Sequence, residues 1–263
     1  MQKPPIVYQE RKPADTLLSY FHSYWTFVYQ PLGEEVLEHT IIPDGCCSIL
    51  FSFFEGKPMD RALLFGPQEQ NHIAMVSPNS MILGIRLMPG VATSLLGTSP
   101  ETMLNQTVDA TPLIEGLDYA AIFSRFQQRE VDFSSLDEIC STWINGKSVN
   151  IDEKVQQALL FILENSGDIK INDLADKVHL SERQFQRRFR YEVGLSPKVF
   201  ARIRRMRQAI IDVILEEKSY QDVVFERGFF DRAHLNRDFS AIAGLPPKVL
   251  EEYISRIRHI DVA

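Results

Sequence analysis

The C-terminal half of this chain repeats itself at a spacing of 50 residues. The stretch 194–199 (GLSPKV) matches the stretch 244–249 (GLPPKV), and the match runs without a gap from positions 174/224 to 200/250. Each copy has the pattern of a short helix, a tight turn, a second helix ended by Gly, and a Pro that opens the next helix. That order predicts two helix-turn-helix units, at about residues 171–194 and 221–244, joined by a long helix over about residues 197–215.

The apolar spacing in each copy predicts which side of the second helix is exposed. Phe185 and Phe189 in the first copy are one helical turn apart and point inward, as do Leu235 and Phe239 in the second. An exposed helix of this kind fits the major groove, where Arg, Gln and Asn side chains bind base edges and phosphates. The predicted DNA-binding residues are Arg183, Gln186, Arg187 and Arg190 in the first unit, and Arg232, Asn236 and Arg237 in the second. The joining helix adds Arg202 and Arg205 to the predicted DNA-binding residues. With the neighbouring Arg204 and Arg207, they are predicted to contact phosphates.

The charge of the chain is distributed unevenly between its two halves. The formal net charge is −7, which taken alone argues against a nucleic-acid binder. Residues 1–148 carry a net charge of −8, residues 149–263 carry +1, and residues 183–207 contain nine Lys or Arg and one acid. Such a basic run is often only a solvated helix face. Its position on the outer side of a predicted helix-turn-helix favours DNA binding instead.

Residues 150–253, about 40% of the chain, resemble the DNA-binding domain of the AraC/XylS transcription regulators. The resemblance implies two helix-turn-helix units on one long helix and sequence-specific DNA binding. We place Phe225 at the position of the usual Ala of this family and expect it to need extra room in the core. The residues of the second unit that match the family pattern are Gly228, Phe229, Asp231, Arg237, Phe239, Gly244 and Pro247.

The N-terminal half has a β pattern. Short runs rich in aromatic and branched residues alternate with turn signals, which is typical of a barrel or sandwich. The fold class predicted for the chain is therefore α+β multidomain, with a β-rich, jelly-roll or cupin-like barrel over residues 1–148. A helical extension of this domain begins at about residue 90, and an all-α double helix-turn-helix domain follows over residues 149–258. The predicted strands are 23–30, 37–42, 46–54, 61–66 and 80–87.

This N-terminal half loosely resembles the sensor-like domains that precede such DNA-binding modules in bacterial regulators. The likeness rests on Pro43-Asp44-Gly45 and on Gly84-Ile85-Arg86 with Pro89-Gly90, and it implies a response to a small-molecule effector. The effector-binding candidates are Tyr24, Trp25, Phe51 and Phe53, which as aromatic strand residues could equally fill the core. The expected partners are an operator in double-stranded DNA and a small-molecule effector, while a homodimer and a contact with RNA polymerase stay open.

Several other classes of site find little support in the sequence. Cys46, Cys47 and Cys140 form no disulfide framework or zinc spacing. His22, His39 and His72 lack the His-x-His spacing of a cupin metal site, so we expect no metal and no cofactor. The sequence shows no P-loop, no G-x-S-x-G and no G-x-G-x-x-G, so an enzyme is not expected.

Neither a secretory leader nor a membrane span is evident, which predicts a cytoplasmic protein. The sequence leaves one alternative of a different class open. In this alternative the protein is a small-molecule-binding or enzymatic β-barrel, and its helical half mediates protein–protein contacts.

Overall fold

A computed structural model describes residues 5–59, 61–126 and 132–261. Most strands lie in the first part of the chain and most helices in the second, but β9 follows α1 and the last described element is a strand. The strands are β1 Ile6–Arg11, β2 Phe21–Tyr29, β3 Leu37–Ile41, β4 Ser48–Phe54, β5 Lys57–Pro58, β6 Leu63–Phe65, β7 His72–Val76, β8 Ser80–Leu87, β9 Thr107–Asp109 and β10 Ile257–Asp261. The helices are α1 Ala92–Leu96, α2 Tyr119–Phe126, α3 Phe133–Ile144, α4 Glu153–Glu164, α5 Ile171–Lys177, α6 Glu182–Val193, α7 Pro197–Ile210, α8 Tyr220–Glu226, α9 Arg232–Ala243 and α10 Pro247–Ile254.

The N-terminal half is an open sheet and not the closed barrel that the strand spacing led us to expect. The strand order is β10-β1-β2-β8-β4-β6-β9, with β5 paired to β4, and β3 with β7 forms a separate two-stranded ribbon. In the described residues β10 and β9 are the two edges of the sheet and do not pair with each other. The prediction of a closed barrel was wrong, because the two edge strands of the described sheet do not meet and the sheet stays open.

The two faces of the sheet have different neighbours. Side chains alternate along each strand, so Phe51 and Phe53 of β4 lie in the core with residues of α2 and α3 such as Phe126 and Leu136. The alternate side chains of β4, Ser48, Leu50 and Ser52, face the opposite way and line a cavity toward the C-terminal helices. The sheet is therefore covered by helices on both faces, and its second face meets the helix-turn-helix half.

The C-terminal half contains the two helix-turn-helix units predicted from the repeat. Helices α5 and α6 form the first unit and α8 and α9 the second, and α7 with a π-helical turn at Ile211–Leu215 joins them. Ser181 caps α6 in a capping box and Asp231 caps α9, so both second helices begin where the sequence indicated. A common core includes Phe185, Phe189, Leu235 and Phe239, all fully buried. No helix in the described ranges is long and apolar enough to cross a membrane.

The two units differ by one residue in the turn between their helices. Helix α5 begins at Ile171 and α8 at Tyr220, a spacing of 49, whereas α6 and α9 begin 50 residues apart. The gap-free match from 174/224 was therefore wrong for the first helix of each unit, because the second turn holds one extra residue. Val224 takes the place we had given to Phe225, and Phe225 lies on the outer side of α8 with 88% of its surface exposed. The expectation that Phe225 enlarges the core was wrong for the same reason.

Contacts at several positions attach the helical half to the sheet half. The loop Pro43–Gly45 lies against α7, where Arg204 donates a hydrogen bond to the carbonyl oxygen of Asp44 at 3.2 Å. Thr93 and Ser99 donate to the carbonyl oxygen of Tyr191 near the end of α6, at 3.1 and 2.6 Å. Strand β10 returns from α10 and pairs in parallel with β1, from Ile6 opposite Ile257 onward. The helix-turn-helix half is thus held to the sheet half through α6, α7 and β10.

We expect Gly45→Ala to destabilise the protein by about 2–4 kcal/mol, because an added methyl group combines backbone strain with overpacking. Gly45 has a φ of +81°, and a Cβ there would lie 2.5 Å from the buried ring of Phe200. Gly97→Ala is the matched control, since Gly97 has a φ of +70° but nothing within 4 Å of its Cβ position. Chemical denaturation of the full chain measures both, and equal losses would show that the contact with Phe200 contributes nothing.

Candidate DNA-binding surface and adjoining cavity

Helix α6 presents a continuous polar face to solvent. Its capping box and the buried pair Phe185 and Phe189 fix the rotation of the helix, and the residues between them are therefore held outward. Glu101, from the turn Pro100–Met103 of the sheet half, lies beside this face with its carboxylate 3.9 Å from Arg190 Nε. The four predicted DNA-binding residues of the first unit are all exposed and line one groove with Glu101 and Glu182: Arg183, Gln186, Arg187 and Arg190.

Helix α9 presents a smaller polar face. Arg232, Asn236 and Arg237 are exposed, and the guanidinium of Arg232 lies 5.0 Å from the centre of the Tyr220 ring in α8. The two acids of this helix are occupied elsewhere. Asp231 accepts the backbone N–H of His234 as the N-cap, at 2.6 Å, and Asp238 is buried. Asp238 therefore lies on the inner side of α9, away from its exposed arginines.

The joining helix turns its arginines inward. Arg202 Nη2 lies 2.7 Å and Arg205 Nη2 3.6 Å from the carboxylate of Asp238, which is 6% exposed. Arg205 also lies over the ring of Phe229 at 4.7 Å. These contacts clamp α9 onto α7, so Arg202 and Arg205 hold the second unit in place in this structure, and phosphate contact by them stays a prediction.

A cavity of about 540 Å³ lies between the second face of the sheet and the C-terminal helices. Its walls are largely apolar, which is the usual character of small-molecule sites. From the sheet side it is lined by Trp25, Phe27, Leu50, Leu63, Phe65, Ala74 and Ile82, and from the helical side by Ile210, Ile211, Leu215, Leu250, Tyr253 and Ile254.

One of the four effector candidates lines this cavity. Trp25 does so, and its indole Nε1 is buried without a hydrogen-bond partner among the described residues. Tyr24, Phe51 and Phe53 point to the opposite face of the sheet and are fully buried in its core. The sequence could not separate these roles, because the alternation along a strand does not tell which face a ligand will occupy.

A buried charge network forms the polar end of the cavity. Arg86 contacts Glu10 at 2.6 Å and Asp44 at 2.8 Å. Burial alone would raise the pKa of Asp44, but the positive charges of Arg86 and Arg207 hold it below its usual value. Arg207 of α7 also lines the cavity and, within the described residues, is in no ion pair. This end of the cavity therefore combines the paired Arg86 with the guanidinium of Arg207, whose charge acts on Asp44.

The histidines and cysteines fit structural positions. Burial lowers the pKa of His39 to about 4, and a short hydrogen bond of 2.5 Å joins its Nδ1 to the hydroxyl of Tyr253 in α10. Burial likewise lowers the pKa of His22 to about 4. Burial raises the pKa of the Cys47 thiol to about 12, which disfavours the reactive thiolate. In the described parts of the chain no three His, Cys, Asp or Glu residues come together where they could hold a metal.

Sequence reasoning missed two features of the site. The cavity depends on contacts between sequence-distant parts, namely α7, α10 and β10 against the sheet, and no local pattern announces it. The signal that was available is the pair of motifs around Asp44 and Arg86, which the structure brings together as an ion pair. Glu101 had no distinguishing signal at all.

Comparison with known families gives the class of each half. A fold with two helix-turn-helix units on one joining helix defines a double helix-turn-helix domain, and residues 174–252 match the family model described as "Helix-turn-helix domain". The C-terminal half is a helix-turn-helix domain of the AraC type. Residues 9–109 match the model of a domain of unknown function (DUF6597). No curated protein sequence matches the chain.

Several solved structures resemble parts of the chain or most of it. The C-terminal domain of AraT, a response regulator from Geobacillus stearothermophilus, is 18% identical, with 41% of this chain and 88% of that one covered and a TM-score of 0.37. The DNA-binding domain of AdpA, a global transcriptional factor solved with a target DNA, is 25% identical, with 39% and 95% covered and a TM-score of 0.37. ToxT from Vibrio cholerae, solved with a bound unsaturated fatty acid, is 11% identical, with 87% and 94% covered and a TM-score of 0.44.

We expect Asp238→Asn to lower the free energy of unfolding by about 1–3 kcal/mol. Removing one partner of a fully buried pair costs about 3–5 kcal/mol, and the cost is smaller here because the Arg202 side chain is 42% exposed. Urea denaturation of the full chain measures the change. Asp176→Asn, at an exposed position of α5, is the control and should change stability by less than about 0.5 kcal/mol. If Asp238→Asn left the free energy of unfolding unchanged, this would contradict the clamp between α7 and α9.

Proposed function

We propose that this protein is a sequence-specific DNA-binding transcription regulator whose activity responds to a small molecule. One observation carries the first part of the proposal. Two helix-turn-helix units of one module each turn an exposed face of Arg, Gln or Asn residues to solvent, which are the side chains that read base edges in the major groove.

Base reading is assigned to the outer faces of α6 and α9. In the first unit the reading residues are Arg183, Gln186, Arg187 and Arg190, and in the second they are Arg232, Asn236 and Arg237. The first unit is expected to dominate affinity, since its face carries three exposed arginines that can pair with guanine or phosphate. Arg202 and Arg205 are assigned a positioning role, because both lie within 4 Å of the buried carboxylate of Asp238.

The expected partner is an operator in double-stranded DNA, and Arg187→Ala tests the proposal. Loss of one base-reading arginine should weaken binding to a selected duplex by about 1–3 kcal/mol and relax its sequence preference. The matched control is Arg188→Ala on the same helix, because Arg188 points to α4 and pairs with Asp152 at 3.3 Å. Mobility shifts with the full chain at 50 and 200 mM salt measure both variants. Equal losses would refute the assigned reading face, and no retardation of DNA at either salt would refute the proposed function.

The cavity between the sheet and the helices is proposed as the effector site, with Trp25 as the one sequence candidate that lines it. Its apolar walls suit a ligand with an apolar body. The donors at Trp25 Nε1 and Arg207 suit a polar acceptor on that ligand. Because α7 and α10 form one wall and the sheet the other, an occupant would change how the two halves pack. This links effector binding to the geometry of the reading helices.

We expect the dye 8-anilinonaphthalene-1-sulfonate, an apolar body with one anionic group, to bind this cavity with a rise in fluorescence. Ala74→Trp should weaken this binding roughly tenfold, an effect of about 1.4 kcal/mol, since the new side chain occupies the cavity. Ile73→Trp is the matched control on the same strand, because Ile73 points away from the cavity and is 55% exposed. Thermal melts of both variants serve as the control for folding. Equal dye binding by the two variants would refute this site.

A further inference from the structure

Two phenylalanines of the second helix-turn-helix unit are exposed to an unusual degree. Phe225 on α8 is 88% exposed and Phe230, in the turn before α9, is 90% exposed. Single exposed apolar side chains are common on protein surfaces, so the position of each ring decides what it can contact. The two residues have different surroundings, and these surroundings make Phe230 the better candidate for a contact residue.

The turn that carries Phe230 is well packed. Phe229 is buried, with its ring 5.4 Å from that of His234 and 4.7 Å from the guanidinium of Arg205. The backbone N–H of Phe230 donates to Nδ1 of His234 at 3.3 Å, and Asp231 caps the following helix. The backbone on both sides of Phe230 is therefore fixed, and the ring projects from an anchored position.

The extra residue of the second turn brings Phe230 to the start of the reading helix. In the first unit Leu180 packs against the core directly before the N-cap Ser181. In the second unit the buried Phe229 takes the place of Leu180, and Phe230 is inserted between it and the N-cap Asp231. The N-terminal residues of a recognition helix are the ones that contact base edges. Phe230 is thus an apolar group where the first unit has none.

We propose that Phe230 is a specificity-determining residue that packs against the C5-methyl group of a thymine in the major groove. This inference rests on the proposed DNA-binding function. Apolar side chains recognise thymine through its methyl group, which cytosine and the purines lack at that edge. The guanidinium of Arg232, the first residue of α9, lies 5.0 Å from the Tyr220 ring and does not cover the ring of Phe230, which is 90% exposed.

The charges around Phe230 favour DNA over a protein partner. Arg232 and Arg237 are exposed on the same helix, and the acids Asp231 and Asp238 are engaged as the N-cap and in the pair with Arg202. The exposed arginines of α9 can therefore contact phosphates beside a major groove that Phe230 enters. Phe225 lies on α8, away from the start of the reading helix, and takes no part in this contact.

The test begins with selection of binding sites from a random duplex library by the full-length wild-type chain. Each thymine of the selected site is then replaced by deoxyuridine, which removes only the methyl group. For wild type, one replacement in the half-site of the second unit should weaken binding about fourfold, the value of one buried methyl group. Phe230→Ala should bind the thymine duplex more weakly and lose the difference between thymine and uracil. Phe225→Ala should behave as wild type.

Three outcomes would overturn the inference. In the first, Phe230→Ala keeps the wild-type preference for thymine, or Phe225→Ala loses it equally. In the second, no replacement of thymine by deoxyuridine weakens DNA binding by the wild type. In the third, Phe230→Ala binds DNA as wild type but loses transcription with purified RNA polymerase, which assigns Phe230 to a protein contact. If the library yields no enriched sequence, the proposed function fails and this inference with it, whereas an enriched site with an unaffected Phe230→Ala contradicts only the inference.

Discussion

The ion pair between Arg86 and Asp44 is the interaction on which the arrangement of this molecule depends. Arg86 lies on the central strand β8, and its charge is buried, so it requires the two carboxylates that it contacts, Glu10 and Asp44. Asp44 in turn belongs to the loop that receives Arg204 of the joining helix. A charge buried in the sheet therefore fixes the loop, and the loop fixes the helix that carries both DNA-binding units.

The same network places the proposed effector site next to the proposed DNA-binding machinery. The joining helix contributes Arg207 to the cavity, and it holds Asp238 of α9 through Arg202 and Arg205. The faces of one helix thus serve two sites. A ligand in the cavity that displaced α7 would move the second reading helix directly, because Arg202 and Arg205 of α7 contact Asp238 of α9.

Much of the helical half could be predicted from the sequence, because its determinants are local. The capping residue Ser181, the spacing of Phe185 and Phe189 and the terminating Gly194 all act within a few residues, and α6 forms where they place it. The sequence-based predictions failed where contacts between residues far apart in the chain determine the structure. The arginines of α7 carry no local sign that they meet a buried acid 36 positions away, and Phe225 was misplaced by a single residue added to a turn. In the sheet, β7 and β10 were missed because their pairing partners, β3 and β1, lie far along the chain.

The pairing of strand β10 with β1 gives the helical half a second attachment to the sheet, held by backbone hydrogen bonds. A module joined to its neighbour by one linker can swivel about it, whereas a module attached at both ends can only hinge about the line between the two attachments. Here one attachment is the segment between α3 and α4, and the other is the pairing of β10 with β1. Rearrangements that leave this pairing intact are limited to rocking about that axis, while any larger turn first requires the last strand to leave the sheet.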